Sequence, residues 1–218
     1  MGSWVNNGMG RWKRDYLRLL LLMSLAGNVF AGDDVSVANS GQMPTSKAPL
    51  DLLAQFKPLT IASGTFVQNK YFTVLKNPVT STGELYLDQA LGFVWHTSKP
   101  ISSTMILKDD GLFAIDHRQQ QKKINNATPI ATVLMSALSG DLTALESQFS
   151  LTASSTSPTC IELTPKDDTI AKVMRVIKLC GGDTVEHLVL FETSGNRTEI
   201  ELNLSAVAEL PKAIREQL

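Results

Sequence analysis

The chain has 218 residues, and its 20 basic and 21 acidic side chains give a formal net charge of −1. This balance offers no polyanion-binding surface, so a nucleic-acid partner is not expected. The length fits one domain with a sizeable core, preceded by a short targeting segment.

The first 31 residues have the pattern of a secretory signal. Four Arg or Lys residues precede the short apolar stretch 19–26, and small residues lead to Ala31, where cleavage is expected. The apolar stretch is too short for a permanent membrane span, although an uncleaved anchor is the alternative. Asn28 stands where a lipoprotein signal would need a cysteine, so no lipid attachment is expected. Export would leave residues 32–218 in the periplasm, with 16 basic and 20 acidic side chains.

The segment that follows is polar and contains Gly, Ser, Asn and Pro, so residues 32–47 are predicted to be a disordered lead-in. A single domain is then expected over residues 48–218. Its first element is a predicted helix over residues 49–56, with Pro49 in the first turn and Pro58 as the stop.

Between residues 65 and 116, apolar side chains alternate with polar ones, as in antiparallel strands that have one buried face. Strands are predicted over residues 63–71, 83–88, 91–97, 103–108 and 112–116, with the turn Asp109-Asp110-Gly111 between the last two. The predicted inward face carries Phe66, Leu85, Leu87, Phe93, Trp95, Leu107, Phe113 and Ile115. Residues 119–126 are polar and predicted to be a loop.

The apolar spacing then becomes helical. A helix is predicted over residues 129–139, with Ile130, Leu134 and Leu138 among its apolar positions, and a second over residues 142–148, capped by Asp141. Further strands are predicted over residues 149–153, 160–164, 173–180, 185–192 and 197–204. Nine or ten strands with few helices indicate a mainly β (α+β) fold with one large, curved antiparallel sheet.

An exported chain with two cysteines usually pairs them, so a disulfide is expected between Cys160 and Cys180. Placing the two cysteines opposite each other sets Ile161 against Leu179 and Glu162 against Lys178. Apolar side chains then meet on one face and opposite charges on the other, whereas a slip of one residue destroys the agreement. Two separate reduced thiols are the alternative.

The residues that could carry chemistry form no recognisable cluster. His96, His117 and His187 lack the spacing of metal ligands, and no metal or cofactor is expected. Ser139 lies in Ser-Ala-Leu-Ser-Gly rather than in the Gly-x-Ser-x-Gly of serine hydrolases. The chain is therefore not expected to be an enzyme.

The apolar inner face is the remaining candidate site. A wide sheet covered by few, aliphatic helices has few side chains to fill its concave side, which favours a cavity for acyl chains. The predicted lining is Phe66, Leu85, Leu87, Phe93, Trp95, Leu107, Phe113, Ile115, Ile130, Leu134 and Leu138. An ordinary filled core is the alternative, and the chain would then be a periplasmic docking module for a membrane-anchored partner. A lipid-modifying enzyme is a third reading that depends on the cavity alone.

Five segments resemble the bacterial periplasmic lipoprotein-carrier (LolA-like) family. They are residues 64–68 (GTFVQ), 81–87 (STGELYL), 93–100 (FVWHTSKP), 138–142 (LSGDL) and 163–167 (LTPKD). The resemblance covers roughly residues 50–204 and implies an unclosed β-barrel with a helical lid. It further implies a monomeric carrier that takes acylated lipoprotein or lipid from an inner-membrane donor to an outer-membrane acceptor. In that family an arginine on the strand before the Phe-x-Trp-His stretch ties the lid shut; Gln89 stands at this position here.

Overall fold

The structure, a computed structural model, describes residues 51, 54, 56–124, 128–139, 142–156 and 158–218. All of them belong to the unit formed by residues 39–218. The predicted signal, the lead-in and most of the predicted helix over residues 49–56 lie outside the described residues and remain predictions. In the described ranges, no helix is long and apolar enough to cross a membrane.

Strands dominate this part of the chain. They are β1 (Ile61–Tyr71), β2 (Val79–Asp88), β3 (Gly92–Lys99), β4 (Ser103–Lys108), β5 (Gly111–Ile115), β6 (Gln121–Ile124), β7 (Phe149–Thr156), β8 (Thr159–Pro165), β9 (Met174–Gly181), β10 (Val185–Glu192) and β11 (Arg197–Ala206). The helices are α1 (Thr128–Ser139), α2 (Leu142–Gln148), α3 (Asp168–Ala171) and α4 (Lys212–Arg215). The two longer helices were predicted from their apolar spacing; α3 was not.

All eleven strands form one antiparallel sheet, in the order β6-β5-β4-β3-β2-β1-β11-β10-β9-β8-β7. The chain meanders from β1 to the edge strand β6, crosses to the other edge at β7, and meanders back until β11 pairs with β1. Because β6 and β7 are the two edges, the sheet is open rather than closed into a barrel. This confirms the predicted fold class, an unclosed antiparallel half-barrel with a helical lid.

The lid is the crossing between the two edges. After β6, α1 packs over β4 and β5, and it then contacts α2, which packs against β7. On the face of β4 away from α1, Lys108 donates a hydrogen bond from Nζ to the backbone oxygen of Gln217 at 3.2 Å. The two helices therefore cover one face of the sheet, while the C-terminal segment lies on the other.

The C-terminal segment has a structural role that the sequence did not reveal. Val207 continues the pairing of β11 by donating from its backbone N–H to the oxygen of Ile61. Leu210 is fully buried, and so are Val94 and Ile106, which share the face of β3 and β4 on which Lys108 lies. Residues 207–218 thus contribute to covering a second, smaller apolar area.

The cysteine pair lies where its neighbours predicted it. Cys160 and Cys180 are directly opposite in β8 and β9 and form a disulfide. Ile161 faces Leu179, Glu162 faces Lys178 and Leu163 faces Ile177, as expected. Apolar and charged residues pair consistently across this one hairpin, so the sequence alone was sufficient to predict its register.

The prediction of a loop over residues 119–126 is wrong, because Gln121–Ile124 forms the edge strand β6. Gln121, Lys122 and Lys123 are exposed, and only Ile124 is buried. Lysine-rich, short strands are common at sheet edges, where they discourage pairing with other chains. Such a strand lacks the apolar alternation by which its neighbours were recognised.

Candidate functional site

The candidate site is the sheet face that the lid covers, here called the apolar face. Cross-strand partners share a face, so the pairing of the strands identifies its members. Its buried apolar members include Phe66, Leu85, Leu87, Phe93, Trp95, Leu107, Leu112, Ile161, Leu163, Ile177, Leu179, Leu188 and Leu202. All of these side chains are buried. The apolar face extends across both halves of the sheet and provides a continuous hydrocarbon surface.

An aromatic pair lies at the middle of this face. The rings of Phe66 and Trp95 are 4.1 Å apart at their centroids and tilted by 32°. Gly83 lies directly opposite Phe66 on β2, and a Cβ there would come within 2.9 Å of the Phe66 ring. The glycine therefore lets the Phe66 ring lie close against β2.

The inward placement of Phe113 and Ile115 is wrong. Phe113 pairs with Ile106 and Ile115 with Thr104, so both lie on the face opposite to Leu107. The turn consists of Asp109 and Asp110 alone, because Gly111 already pairs with Lys108. Since side chains alternate at every residue, a turn that is one residue shorter than expected moves every side chain of β5 to the opposite face of the sheet. Leu112, which the sequence reasoning passed over, is the buried member of the apolar face.

Phe113 has a different environment. The ammonium groups of Lys108 and Lys123 each lie 5.5 Å from its ring centroid, within the range of cation–π contacts. A half-buried ring between two lysines belongs to the outer surface of the sheet. Phe113 and Ile115 are accordingly removed from the candidate lining.

The lid supplies the other side of the site. Leu134 and Leu138 are buried in α1, as are Ala131, Val133 and Ala137. Ile130 falls within α1, but its side chain lies outside the described part of the chain. Ser136 and Ser139 are buried as well. Among the described side chains of α1, only Met135 is partly exposed, so this part of the helix is largely buried.

The site is closed in this conformation. Eight predicted lining residues lie on the apolar face or on α1 with described side chains, and all eight are buried. Leu85 and Leu87 have no exposed surface at all. An acyl ligand could reach these residues only if α1 moved away from β4 and β5.

A buried ion pair lies on the same side of the sheet, at one end. Lys70 continues the Phe66 side of β1, and its Nζ contacts the carboxylate of Glu192 in β10. The second carboxylate oxygen accepts hydrogen bonds from Ser194 Oγ at 3.0 Å and from Asn196 Nδ2 at 3.3 Å. Burial lowers the pKa of Lys70 to about 8, although the adjacent carboxylate opposes that shift. The alternation in β1 placed Lys70 inward, but nothing in the sequence indicated Glu192 as its partner.

The polar residues considered for chemistry lie apart from one another. His96 is on the opposite face, with Nδ1 2.9 Å from Thr104 Oγ1, as a strand-packing residue. His187 lies opposite Glu201 in β11. Within the described residues, no three His, Cys, Asp or Glu side chains are arranged to hold a metal ion. Gln89 is exposed in the turn between β2 and β3, with its backbone N–H bonded to Thr60.

A pocket of about 340 Å³ lies on the opposite face of β1, β10 and β11. Its lining includes Thr65, Val67, His187, Glu201 and Asn203. Six of its ten lining residues are polar, and the other four are Phe66, Val67, Leu202 and Leu204. Because polar residues predominate, this pocket is a weaker candidate for acyl chains than the apolar face.

Comparison with known proteins gives a family match over most of the chain. The profile of the family described as outer membrane lipoprotein carrier protein LolA matches residues 58–214. Among curated proteins, none matches the chain.

Three solved structures are similar at low identity. The LolA superfamily protein NE2245 from Nitrosomonas europaea is 8% identical with a TM-score of 0.48, over 78% of this chain and 97% of that one. A DUF1329 family protein from Desulfovibrio piger is 10% identical with a TM-score of 0.47, over 76% and 94%. A putative outer membrane lipoprotein-sorting protein domain from Vibrio parahaemolyticus is 8% identical with a TM-score of 0.45, over 76% and 93%.

The family match spans well over half of the sequence and includes all eleven strands and both lid helices. The chain therefore belongs to the outer membrane lipoprotein carrier protein LolA family.

Proposed function

We propose that this protein is a non-enzymatic periplasmic carrier that binds the acyl chains of a lipoprotein or another lipid between α1 and the apolar face. The observation that carries the proposal is a continuous apolar face on an open sheet, covered by a separate helical crossing. Family membership supports the same assignment. The predicted signal over residues 1–31 is consistent with action in the periplasm.

Exchange of α1 for an acyl chain is energetically reasonable. Lifting α1 would expose Val133, Leu134 and Leu138, which costs about 5–9 kcal/mol at the usual value for aliphatic side chains. An acyl chain of about 15 methylenes gains roughly 12 kcal/mol when it is buried. The two quantities are similar, so burial of the ligand could offset the exposure of these α1 side chains.

The lid would be held without a charged latch at Gln89. The side chain of Gln89 is exposed in a turn, so it is poorly placed to reach α1. Burial of Leu134 and Leu138 against the sheet is the main force that would keep α1 closed. We therefore expect opening to depend on the apolar ligand itself rather than on breaking an ion pair.

The test is uptake of a fluorescent fatty acid by the delipidated protein, with Leu134→Glu as the disruptive variant. A carboxylate facing the apolar face should abolish uptake, because an unpaired charge is strongly penalised there. Val67→Glu is the matched control, since Val67 is partly exposed on the opposite face of β1. Folding of both variants is checked by circular dichroism. Uptake by a folded Leu134→Glu variant at the parental level would contradict the proposed site.

A second candidate is a docking module with a filled interior. The complete burial of Leu85 and Leu87 and the burial of most described side chains of α1 favour it. Under this alternative the parent protein would take up no acyl ligand, even after incubation in mild detergent that loosens the lid. The same uptake assay therefore separates the two functions.

A further inference from the structure

Among the described residues, the exposed aliphatic side chains are concentrated at one end of the sheet. Val74, Leu75, Val79 and Ile101 are four of the six large apolar residues that the described part of the chain exposes. Val74 is 86% exposed, Ile101 58% and Leu75 51%. Three large apolar side chains with at least half of their surface in water lie together here, so this end of the sheet is a candidate interaction surface.

Strand pairing places the four residues at the same end. Lys70 pairs with Val79 and Thr82 with Lys99, so the connections after β1 and after β3 leave the sheet side by side. We call residues 74–79 and 99–101 the apolar tips. The remaining two exposed apolar residues lie elsewhere: Val67 is within β1, and Leu91 is in the β2–β3 turn at the other end.

The base of the first tip is held in place. The backbone N–H of Thr73 donates to Asn196 Oδ1 at 3.2 Å, and that of Leu75 donates to the oxygen of Phe72 at 3.0 Å. The first contact ties the connection to the β10–β11 turn, and the second closes a turn within the connection. Val74 is therefore presented outward by an ordered turn.

The charges in the apolar tips are all positive. Lys76 and Lys99 are the only ionisable residues in the two segments, whereas the whole chain carries a net charge of −1. In the neighbouring connection after β5, Asp116 is balanced by Arg118. Aliphatic side chains flanked by lysines are complementary to a lipid bilayer, in which negatively charged headgroups lie above the hydrocarbon.

The composition favours lipid over protein as the occupant. Protein interfaces are enriched in aromatic residues, Met and Arg and are depleted of Lys. The apolar tips expose Val, Leu, Ile and Lys instead. Each tip also contains a proline, Pro78 or Pro100, which has no backbone N–H to leave unsatisfied when the tip leaves water.

We propose that the apolar tips dock this protein on an anionic lipid bilayer, with Val74, Leu75 and Ile101 entering the interface and Lys76 and Lys99 contacting lipid phosphates. The docking goes beyond acyl-chain binding and does not depend on it. It would place one end of the sheet against the membrane while the rest of the domain stays in water.

The test is flotation with vesicles of phosphatidylethanolamine and phosphatidylglycerol in a 3:1 ratio, compared with vesicles of phosphatidylcholine. The protein used is residues 32–218, which retain the whole unit of residues 39–218. We expect binding to the anionic vesicles that weakens with added salt. The double variant Leu75→Ser/Ile101→Ser should bind at least about tenfold more weakly. Leu91→Ser is the matched control, since it removes an exposed leucine at the other end of the sheet and should bind like the parent.

A site-specific probe locates the contact. The two native cysteines are paired, so a single Leu75→Cys can be labelled with an environment-sensitive dye and compared with Leu91→Cys. The dye at position 75 should shift to the blue on vesicle binding, and the dye at position 91 should not. Failure of the parent to bind anionic vesicles would overturn the proposal. So would equal binding by the double variant and Leu91→Ser, or a dye at position 75 that stays in water while the protein floats. The last outcome would assign the tips to a protein partner.

Discussion

The buried pair Lys70–Glu192 gives the sharpest test of how this sheet is held together. Neither side chain has appreciable exposed surface, and Glu192 also accepts hydrogen bonds from Ser194 and Asn196. Lys70→Met removes the ammonium that contacts one carboxylate oxygen of Glu192. Breaking a buried pair by removing one partner costs about 3–5 kcal/mol, because the other charge stays buried without compensation.

For a domain of this size, that loss lowers the melting temperature by roughly 6–20 °C. Urea unfolding at pH 7 with the disulfide intact measures the free energy directly. The double variant Lys70→Met/Glu192→Gln is the control, because Gln keeps a polar group near Ser194 and Asn196 but carries no charge. It should recover most of the loss. A Lys70→Met variant within about 1 kcal/mol of the parent would show that the pair is not the buried contact inferred above.

The same pair predicts a pH dependence. Burial lowers the pKa of Lys70 from 10.5 to about 8, so between these values the unfolded chain holds more protons than the folded one. The contribution of Lys70 to stability therefore rises with pH across this window, by up to about 1.4 kcal/mol per pH unit. The difference in unfolding free energy between the parent and Lys70→Met should widen from pH 8 to pH 10. A constant difference would refute this reasoning.

Two further predictions concern the face assignment and the disulfide. Leu112→Asp should destabilise the fold by at least about 3 kcal/mol, because Leu112 is buried on the apolar face. Phe113→Asp should cost less than half as much. If urea unfolding showed the reverse order, Phe113 rather than Leu112 would be the inward residue of β5. Cys160 and Cys180 are 20 residues apart, and reduction of their disulfide should remove about 3 kcal/mol of stability. The class of bound ligand should stay unchanged. Loss of acyl binding in a reduced protein that is still folded would contradict a purely structural role for the disulfide.

Several features of the site depend on how strands pair in the assembled sheet, which the local sequence pattern does not specify. The turn after Lys108 could hold two residues or three, and both choices keep the alternation of β5 intact. Only the pairing of Lys108 with Gly111 places Leu112 inward and Phe113 outward. In the same way, β6 became a strand because β5 offered it a free edge, since its own sequence is polar.

What the sequence determined by itself was the set of strands with one apolar side, the two lid helices and the register of the β8–β9 hairpin. These follow from periodicity and from pairs of neighbours, which act over a few residues. The tertiary structure alone decided which face β5 turns inward, how Lys70 meets Glu192, and that α1 packs over β4 and β5. Those outcomes depend on contacts between segments far apart in the chain, whose free energies arise only when the whole sheet has assembled.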